Sequence, residues 1–425
     1  MADSLPTSAK LLPGPRHFNV YSQENGAGIL EQGFVTVWFA VTYLPLAEFA
    51  ALRYLCILGL LAILVLDRNR LAPIFLKAWP LFTVPILGLL SIGWSPYPGA
   101  AIREGILLLL TAITCVSIAG RLTTTQLLRT IWLAGIFATI YSAPYMDRFS
   151  SGGLYGSKNQ FGAQMLFCLV LSLITFLNEK ETPVLRLLAL PFIPICFMFQ
   201  LMADSATSLV FAILGIVALV GVKVFWSPVT KVRALPVLVI MICLAVVLLL
   251  ALAVWNMPDN QYVARFLGLV GKDTTLTGRT EIWDVAEFVS AQHPLFGVGL
   301  EGFWQYNIGM AQTLNELQYR EFGTKLTFHS AFWEVRVHLG LVGLGFFVFY
   351  LVWSSLRLFG LWFRDGSLVN SALVIIVLMN ITMAFTESYL WSTFTTAAYL
   401  QGLAGIAPMR LFDRKFVGRA KAVAV

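Results

Sequence analysis

Between residues 31 and 407 the chain passes through one apolar segment after another, each close to the length of a bilayer-crossing helix. It pauses at length only once, across residues 256–328. Lipid offers no hydrogen bonds to a bare backbone, so segments of this kind fold as helices bonded within themselves. Candidate spans lie at 31–48, 51–66, 79–94, 101–119, 127–145, 160–177, 185–203, 205–222, 235–255, 329–355, 368–386 and 389–407. At about 20 residues per crossing this makes about twelve spans. Of the 425 residues, 58% are hydrophobic and 12% charged, whereas a soluble protein carries about a quarter charged residues. The predicted fold is therefore an all-α polytopic membrane protein with one large helical outer loop. The chain shows no clear internal repeat, no soluble enzyme domain, no Walker loop and no Rossmann glycine fingerprint.

Charge sets the orientation. One set of connections and ends holds Lys10, Arg16, Arg68, Arg70, Lys77, Arg121, Arg129, Lys180, Arg186, Lys223, Lys231, Arg233, Arg357, Arg364, Arg410, Arg414, Lys415, Arg419 and Lys421. The short connections on the other side hold Arg53, Arg103, Arg148 and Lys158. The positive-inside rule then puts both termini in the cytoplasm and the polar loop outside. Residues 1–30 read as a disordered cytoplasmic tail without a signal peptide, and 408–425 as a basic cytoplasmic tail. Between them lie spans one to nine (31–255), the loop (256–328) and spans ten to twelve (329–407). The net charge of +7 is spread over short loops without interleaved aromatics, which argues against a nucleic-acid partner. Cys56, Cys115, Cys168, Cys196 and Cys243 each sit in an apolar run with no CxxC pair, and read as packing residues.

Within the loop, residues 280–292 predict a helix, because Ile282, Val285, Ala286 and Val289 share a face. Thr277 or Thr280 could cap its start, and Pro294 stops it just after His293. Gly297, Gly299 and Gly302 mark a turn, and a second helix is expected over 303–321. Arg279 falls in the first turn of the first helix, where an anion is favoured and a guanidinium adds a bidentate donor; the bland alternative is a surface pair with Glu281 or Asp284. His329 opens the next span at the outer interface, and an imidazole there can take a proton. Arg336, seven residues on, would lie on the same face about 10 Å deeper. An intramembrane Arg costs about 2.5–3.5 kcal/mol, so it needs a polar cavity or a partner such as Glu387. His338 points away and reads as structural.

A second polar stretch, RFSSGGLYGSKNQFG at 148–162, puts Lys158 and Asn159 at a helix N-terminus capped by Ser157. That geometry also receives anions. Residues 204–208, Asp-Ser-Ala-Thr-Ser, form a polar outer turn that could line the same cavity or serve only as a cap.

These motifs together resemble the O-antigen ligase and polymerase family. The resemblance rests on Gly278, Arg279, Ile282 and Trp283 in TGRTEIW, on HPLFGVG at 293–299, and on His329-Ser330 opening a helix with LGLVG at 339–343. GSKNQFGAQM at 156–165 and DSATSLV at 204–210 are similar to segments of the succinoglycan-type exopolysaccharide polymerase branch. The likeness runs from about residue 80 to 405. Two departures stand out. Ser157 replaces the first His of the family's HKN motif, and Ala206 stands where the ligase branch carries an Arg. Both favour a polymerase over a ligase, with Lys158 as the substitute cation.

The resemblance implies a GT-C-like glycosyltransferase of the bacterial inner membrane that needs no cofactor or metal; the chain has no Asp-x-Asp triplet. The implied donor is an oligosaccharide on undecaprenyl diphosphate, with membrane lipid around it and chain-length regulator and export proteins as further partners. His329 would deprotonate the acceptor hydroxyl, and Arg279 would stabilise the departing diphosphate. Lys158, Asn159 and Arg336 would help hold the diphosphate, and Glu301, Trp304 and Tyr319 are candidates for sugar contact. The alternatives are an O-antigen ligase acting on lipid A-core, a flippase of lipid-linked oligosaccharide, and a non-catalytic scaffold. A flippase would spread polar residues along several spans, and few are present.

Overall fold

A computed structural model describes residues 27–44, 46–231 and 278–409. The expected span at 235–255, the loop up to Thr277, Cys243 and most of both tails lie outside the described residues.

The described chain is helical, with no strand among its elements. The helices are α1 (Ile29–Tyr43), α2 (Ala50–Leu66), α3 (Arg68–Lys77), α4 (Thr83–Leu90), α5 (Pro98–Arg121), α6 (Thr124–Ser142), α7 (Lys158–Leu177), α8 (Pro183–Met202) and α9 (Ala206–Lys231). Beyond them come α10 (Arg279–Gln292), α11 (Gly309–Leu317), α12 (Ala331–Arg364), α13 (Leu368–Met383) and α14 (Thr396–Ile406). Among the described residues seven helices are long and apolar enough to cross a membrane. An eighth crossing appears if α3 and the segment Trp79–Gly93, bent by 76°, form one broken span. The sequence reading of about twelve counted three apolar runs whose helices are shorter than their runs. The clearest is 389–407, where α14 has 11 residues and rises only about 16 Å. Ser392 and Thr395 tie residues 388–395 into a turn instead.

The centre is α7, apolar all round and buried on nearly every face, as expected of a helix surrounded by others. It packs against α6, α8 and α9, and Trp132 of α6 donates to Ser172 at 2.9 Å. In contrast, α2 and α8 expose rows of Leu with Val among them, the faces that lipid would cover. Cys56, Cys115, Cys168 and Cys196 are buried and unpaired, in keeping with packing. At one end of the bundle Arg121 pairs with Glu31 and Asp67, Arg129 with Glu181, and Lys223 with Glu179. The opposite end carries the starts of α7, α12 and α14, the end of α13, and the loop helices.

That loop is locked onto α12 by a backbone interlock. Gly340 leaves the helical region (φ 65°, ψ −160°) and breaks α12. The break frees the carbonyls of Val337 and His338, which accept from Val298 N and Gly299 N at 2.9 Å each. On its other side Leu341 N and Val342 N donate to Pro294 O and Leu295 O. A Cβ on Gly297 would sit 2.4 Å from the Val337 carbonyl, and one on Gly340 would sit 2.3 Å from Leu295. HPLFGVG and LGLVG are thus the two halves of one joint, and their glycines allow two backbones to touch.

The loop helices depart from the sequence reading in three places. Gly278, in a left-handed conformation, precedes α10 without a side-chain cap, and Thr280 bonds Glu281 instead. The second loop helix spans 309–317 rather than 303–321. Its front is consumed by Phe303 and Trp304 turning inward, and its end by Tyr319 at φ 53°, where Arg320 N bonds Asn315 O in a helix-stop pattern. His329 is not the first residue of its helix, since it precedes the cap Ser330 and lies at φ 49°.

Candidate functional site

The loop end of the bundle gathers its polar side chains around one carboxylate. Glu387, in the turn after α13, is 2% exposed. Its Oε1 accepts from Arg279 Nη2 at 2.6 Å and from Asn159 Nδ2 at 2.9 Å. Its Oε2 lies 3.7 Å from His329 Nδ1. Four separate stretches therefore meet here: the starts of α7 and α10, the residue before the α12 cap, and the turn after α13. Arg279 is itself buried, and a buried guanidinium needs a counter-charge, which Glu387 supplies. This replaces the surface pair with Glu281 or Asp284 considered for Arg279, and the pairing of Glu387 with Arg336.

Backbone contacts fix His329 in place. Ala331 N donates to Ala384 O at 2.9 Å and to Glu387 O at 3.2 Å, and Ser330 Oγ to Ala384 O at 3.4 Å. The start of α12 and the end of α13 are thereby stitched together. A left-handed conformation at a residue with a side chain costs on the order of 1–3 kcal/mol and persists only where the surroundings impose it. The separation of 3.7 Å is too long for a hydrogen bond, but small movements in catalytic sites close such gaps when substrate binds. With Nδ1 turned to the carboxylate, Nε2 is left to take a proton.

The second polar stretch joins the same cluster. Ser157 caps α7, accepting from Gln160 N at 3.2 Å, and this sets Asn159 toward Glu387. Ser205 Oγ donates to Asn159 Oδ1 at 2.9 Å. That contact needs Ser205 and the start of α9 to press on α7, and Gly162 permits it, since a Cβ there would meet Ser208 Oγ at 2.3 Å. Lys158 pairs with Asp204 at 3.1 Å on the rim.

The remaining candidates lie differently. Arg336 is half-buried on α12 and makes no ion pair among the described residues. Glu301 is buried and pairs with Lys325 at 2.7 Å. Burial works against the Lys325 charge, but the carboxylates of Glu301, Glu104 and Glu334 outweigh it and raise its pKa above the usual lysine value. Trp304 is a core residue of the loop, its ring 4.7 Å from that of Phe328, which leaves little face for a sugar. Tyr319 is 98% exposed and is not drawn into the cluster.

Sequence reasoning undervalued two carboxylates. Glu387 appeared only as a possible partner of Arg336, and Glu334 did not appear. The available signal was their setting, lone acids at the mouths of apolar runs, since charge so placed marks a polar site. A few residues after Glu387, Leu390 and Trp391 line an apolar cleft with α4, α5 and α12. Val84, Leu108, Phe347, Tyr350, Leu390 and Trp391 form its walls.

The O-antigen ligase family model matches residues 191–348, a range that includes Arg279, the interlock and His329. The chain is also 28% identical to the "Exopolysaccharide production protein ExoQ" of Rhizobium meliloti (strain 1021) over 311 residues, covering 70% of this chain and 69% of that protein. Joined to a multi-pass helical architecture, these matches make the chain similar to the O-antigen ligase/polymerase family of membrane proteins of polysaccharide biosynthesis.

Proposed function

We infer that the protein is an inner-membrane polysaccharide polymerase that moves glycan repeat units from undecaprenyl diphosphate to an acceptor sugar hydroxyl on the periplasmic side. Both termini are cytoplasmic in this reading. The observation that carries it is the convergence of Arg279, Asn159 and His329 on Glu387 at the end of the bundle opposite the basic cluster.

The acceptor oxygen attacks the anomeric carbon, and the bond from that carbon to the diphosphate oxygen breaks. His329 Nε2 takes the acceptor's proton while the Glu387 carboxylate steadies the resulting imidazolium. Undecaprenyl diphosphate leaves as an anion, which explains the need for cations and the lack of need for a general acid. Arg279 gives one N–H to Glu387, and a guanidinium has five, so donors remain for the diphosphate. Lys158 on the rim and Arg336 on α12 add positive charge. The apolar cleft lined by Leu390 and Trp391 suits the start of a polyprenyl chain. The cations supplied by the chain make the reaction metal-independent in this reading, and chelation should leave turnover unchanged.

The test is elongation by the full-length protein in proteoliposomes. His329→Ala should stop it without unfolding the protein, and normal chain lengths from that variant would remove the general base. Arg279→Lys should lower kcat by about 10-fold or more, because an ammonium cannot reproduce a bidentate fork. The acceptor class is separated by deleting the gene: single lipid-linked repeat units accumulate for a polymerase, and long lipid-linked chains for a ligase.

A further inference from the structure

Glu334, in the first turn of α12, is 3% exposed. Its Oε1 accepts from Phe328 N at 2.7 Å and from Ser388 Oγ at 3.2 Å. Phe328 is the residue before His329, and Ser388 is the residue after Glu387. One oxygen thus clamps the two backbone stretches that carry the facing imidazole and carboxylate. The other oxygen, Oε2, lies 3.4 Å from Trp304 Nε1 and 3.5 Å from His338 Nε2. His338 Nδ1 in turn lies 3.2 Å from the Gly299 carbonyl, so the clamp is anchored to the loop interlock.

We propose that Glu334 is a positioning residue for glycosyl transfer, holding the His329 and Glu387 stretches in register without touching substrate. The proposal rests on the reading of His329 as general base. His329 is held in a left-handed conformation, uncommon for any residue with a side chain. The bond from Phe328 N–H to Glu334 is one constraint on it, beside those from Trp283 Nε1 to Phe328 O at 2.8 Å and from His329 N to Thr327 Oγ1 at 3.4 Å. Once that acceptor is removed, residues 327–329 lose their tie to Ser388 and the first turn of α12, keeping only the Trp283 and Thr327 bonds, and the ring shifts relative to Glu387. Displacement of a reacting group by about 1 Å can cost about 100-fold in rate. An acid in the first turn of a helix also stabilises the helix electrostatically. That role alone would change melting and leave kcat alone.

The experiment measures kcat and donor KM in proteoliposomes. The donor probe is lipid-linked glycan extracted from cells in which the gene is deleted. Glu334→Ala should lower kcat by about 30-fold or more with donor KM within about 3-fold. Glu334→Gln keeps an oxygen for Phe328 N–H and Ser388 and should restore kcat to within about 3-fold of wild type. Ser388→Ala removes one half of the clamp and should lower kcat by about 3–10-fold, again without moving KM; it decides the matter if Glu334→Ala does not fold. Wild-type kcat in Glu334→Ala, or a loss in Glu334→Gln as deep as in the alanine variant, would overturn the positioning role. His329→Ala is the control for the underlying reading. If it turns over normally, the general base itself is wrong. If it is dead while Glu334→Ala is active, only the clamp fails.

Discussion

Glu387 and Glu334 are neighbours at the same end of the bundle and almost equally hidden from solvent, yet they are satisfied in opposite ways. Glu387 is met by a guanidinium, an amide and an imidazole, on Arg279, Asn159 and His329, arriving from separate elements. Glu334 is met by a backbone N–H, a hydroxyl and an indole, and by His338, a fully buried ring whose other nitrogen faces the Gly299 carbonyl. A carboxylate whose partners can exchange it for another anion belongs to a binding site. One whose partners are backbone and packing groups belongs to the frame. The same contrast separates the Glu387 cluster from the interlock at 293–299 and 337–342, whose two halves are joined by four backbone hydrogen bonds.

The largest expected effect comes from removing the charge that holds the cluster. Glu387→Ala strands Arg279 in a buried position, and breaking a buried ion pair from one side costs about 3–5 kcal/mol. The thermal midpoint in detergent should fall steeply and elongation should cease. Glu387→Gln keeps an acceptor for Asn159 and Arg279, so it should fold while losing about 10–100-fold in kcat. If the alanine variant is stable and elongates normally, the distinction between the two acids collapses.

How much of this was legible beforehand follows the same division. Helices were readable wherever an apolar run met its caps, as with Ser157 before α7 and the stop at His293 after α10. Lys158, Asn159 and the 204–208 segment read in sequence either as sharing a cavity or as caps, because each lies at a helix end on one side; Asn159 and Ser205 do meet. What the sequence hid was non-local. Arg279 and Glu387 are joined across more than a hundred residues, and no periodicity connects them. The helix break at Gly340 was hidden as well, since LGLVG reads as ordinary apolar helix until the partner backbone is known. Arg336 was placed by counting from His329 along one helix, and the left-handed step at His329 invalidates that count.

A second test sharpens the contrast from the frame side. Gly297→Ala puts a methyl 2.4 Å from the Val337 carbonyl at φ +65°, where either the joint opens or the chain strains. The cost should be about 3 kcal/mol or more, visible as a lower thermal midpoint. At a temperature where the variant is still folded, kcat should stay within about 3-fold of wild type, because the interlock supports the site without meeting substrate. A large kcat loss with unchanged melting would move the joint into the reaction.

The smallest effect is expected at the rim, where the pair of Lys158 and Asp204 is 38% and 68% exposed in its side chains. Exposed pairs contribute on the order of 0–1 kcal/mol, so breaking this one should scarcely change melting. Its meaning lies in binding. Asp204 has φ 49°, a conformation that Asn tolerates and Ala does not, so Asp204→Asn removes the charge while keeping the turn. With its counter-ion gone, Lys158 presents a fuller positive charge to an arriving diphosphate, and donor KM should fall about 2–3-fold at constant kcat. Lys158→Ala should raise KM, and both shifts should shrink in high salt as the rim charges are screened. A change in kcat with either variant would mean that this rim pair belongs with the buried cluster around Glu387. Unchanged KM in both would leave Lys158 as a solvated lysine that happens to face an acid.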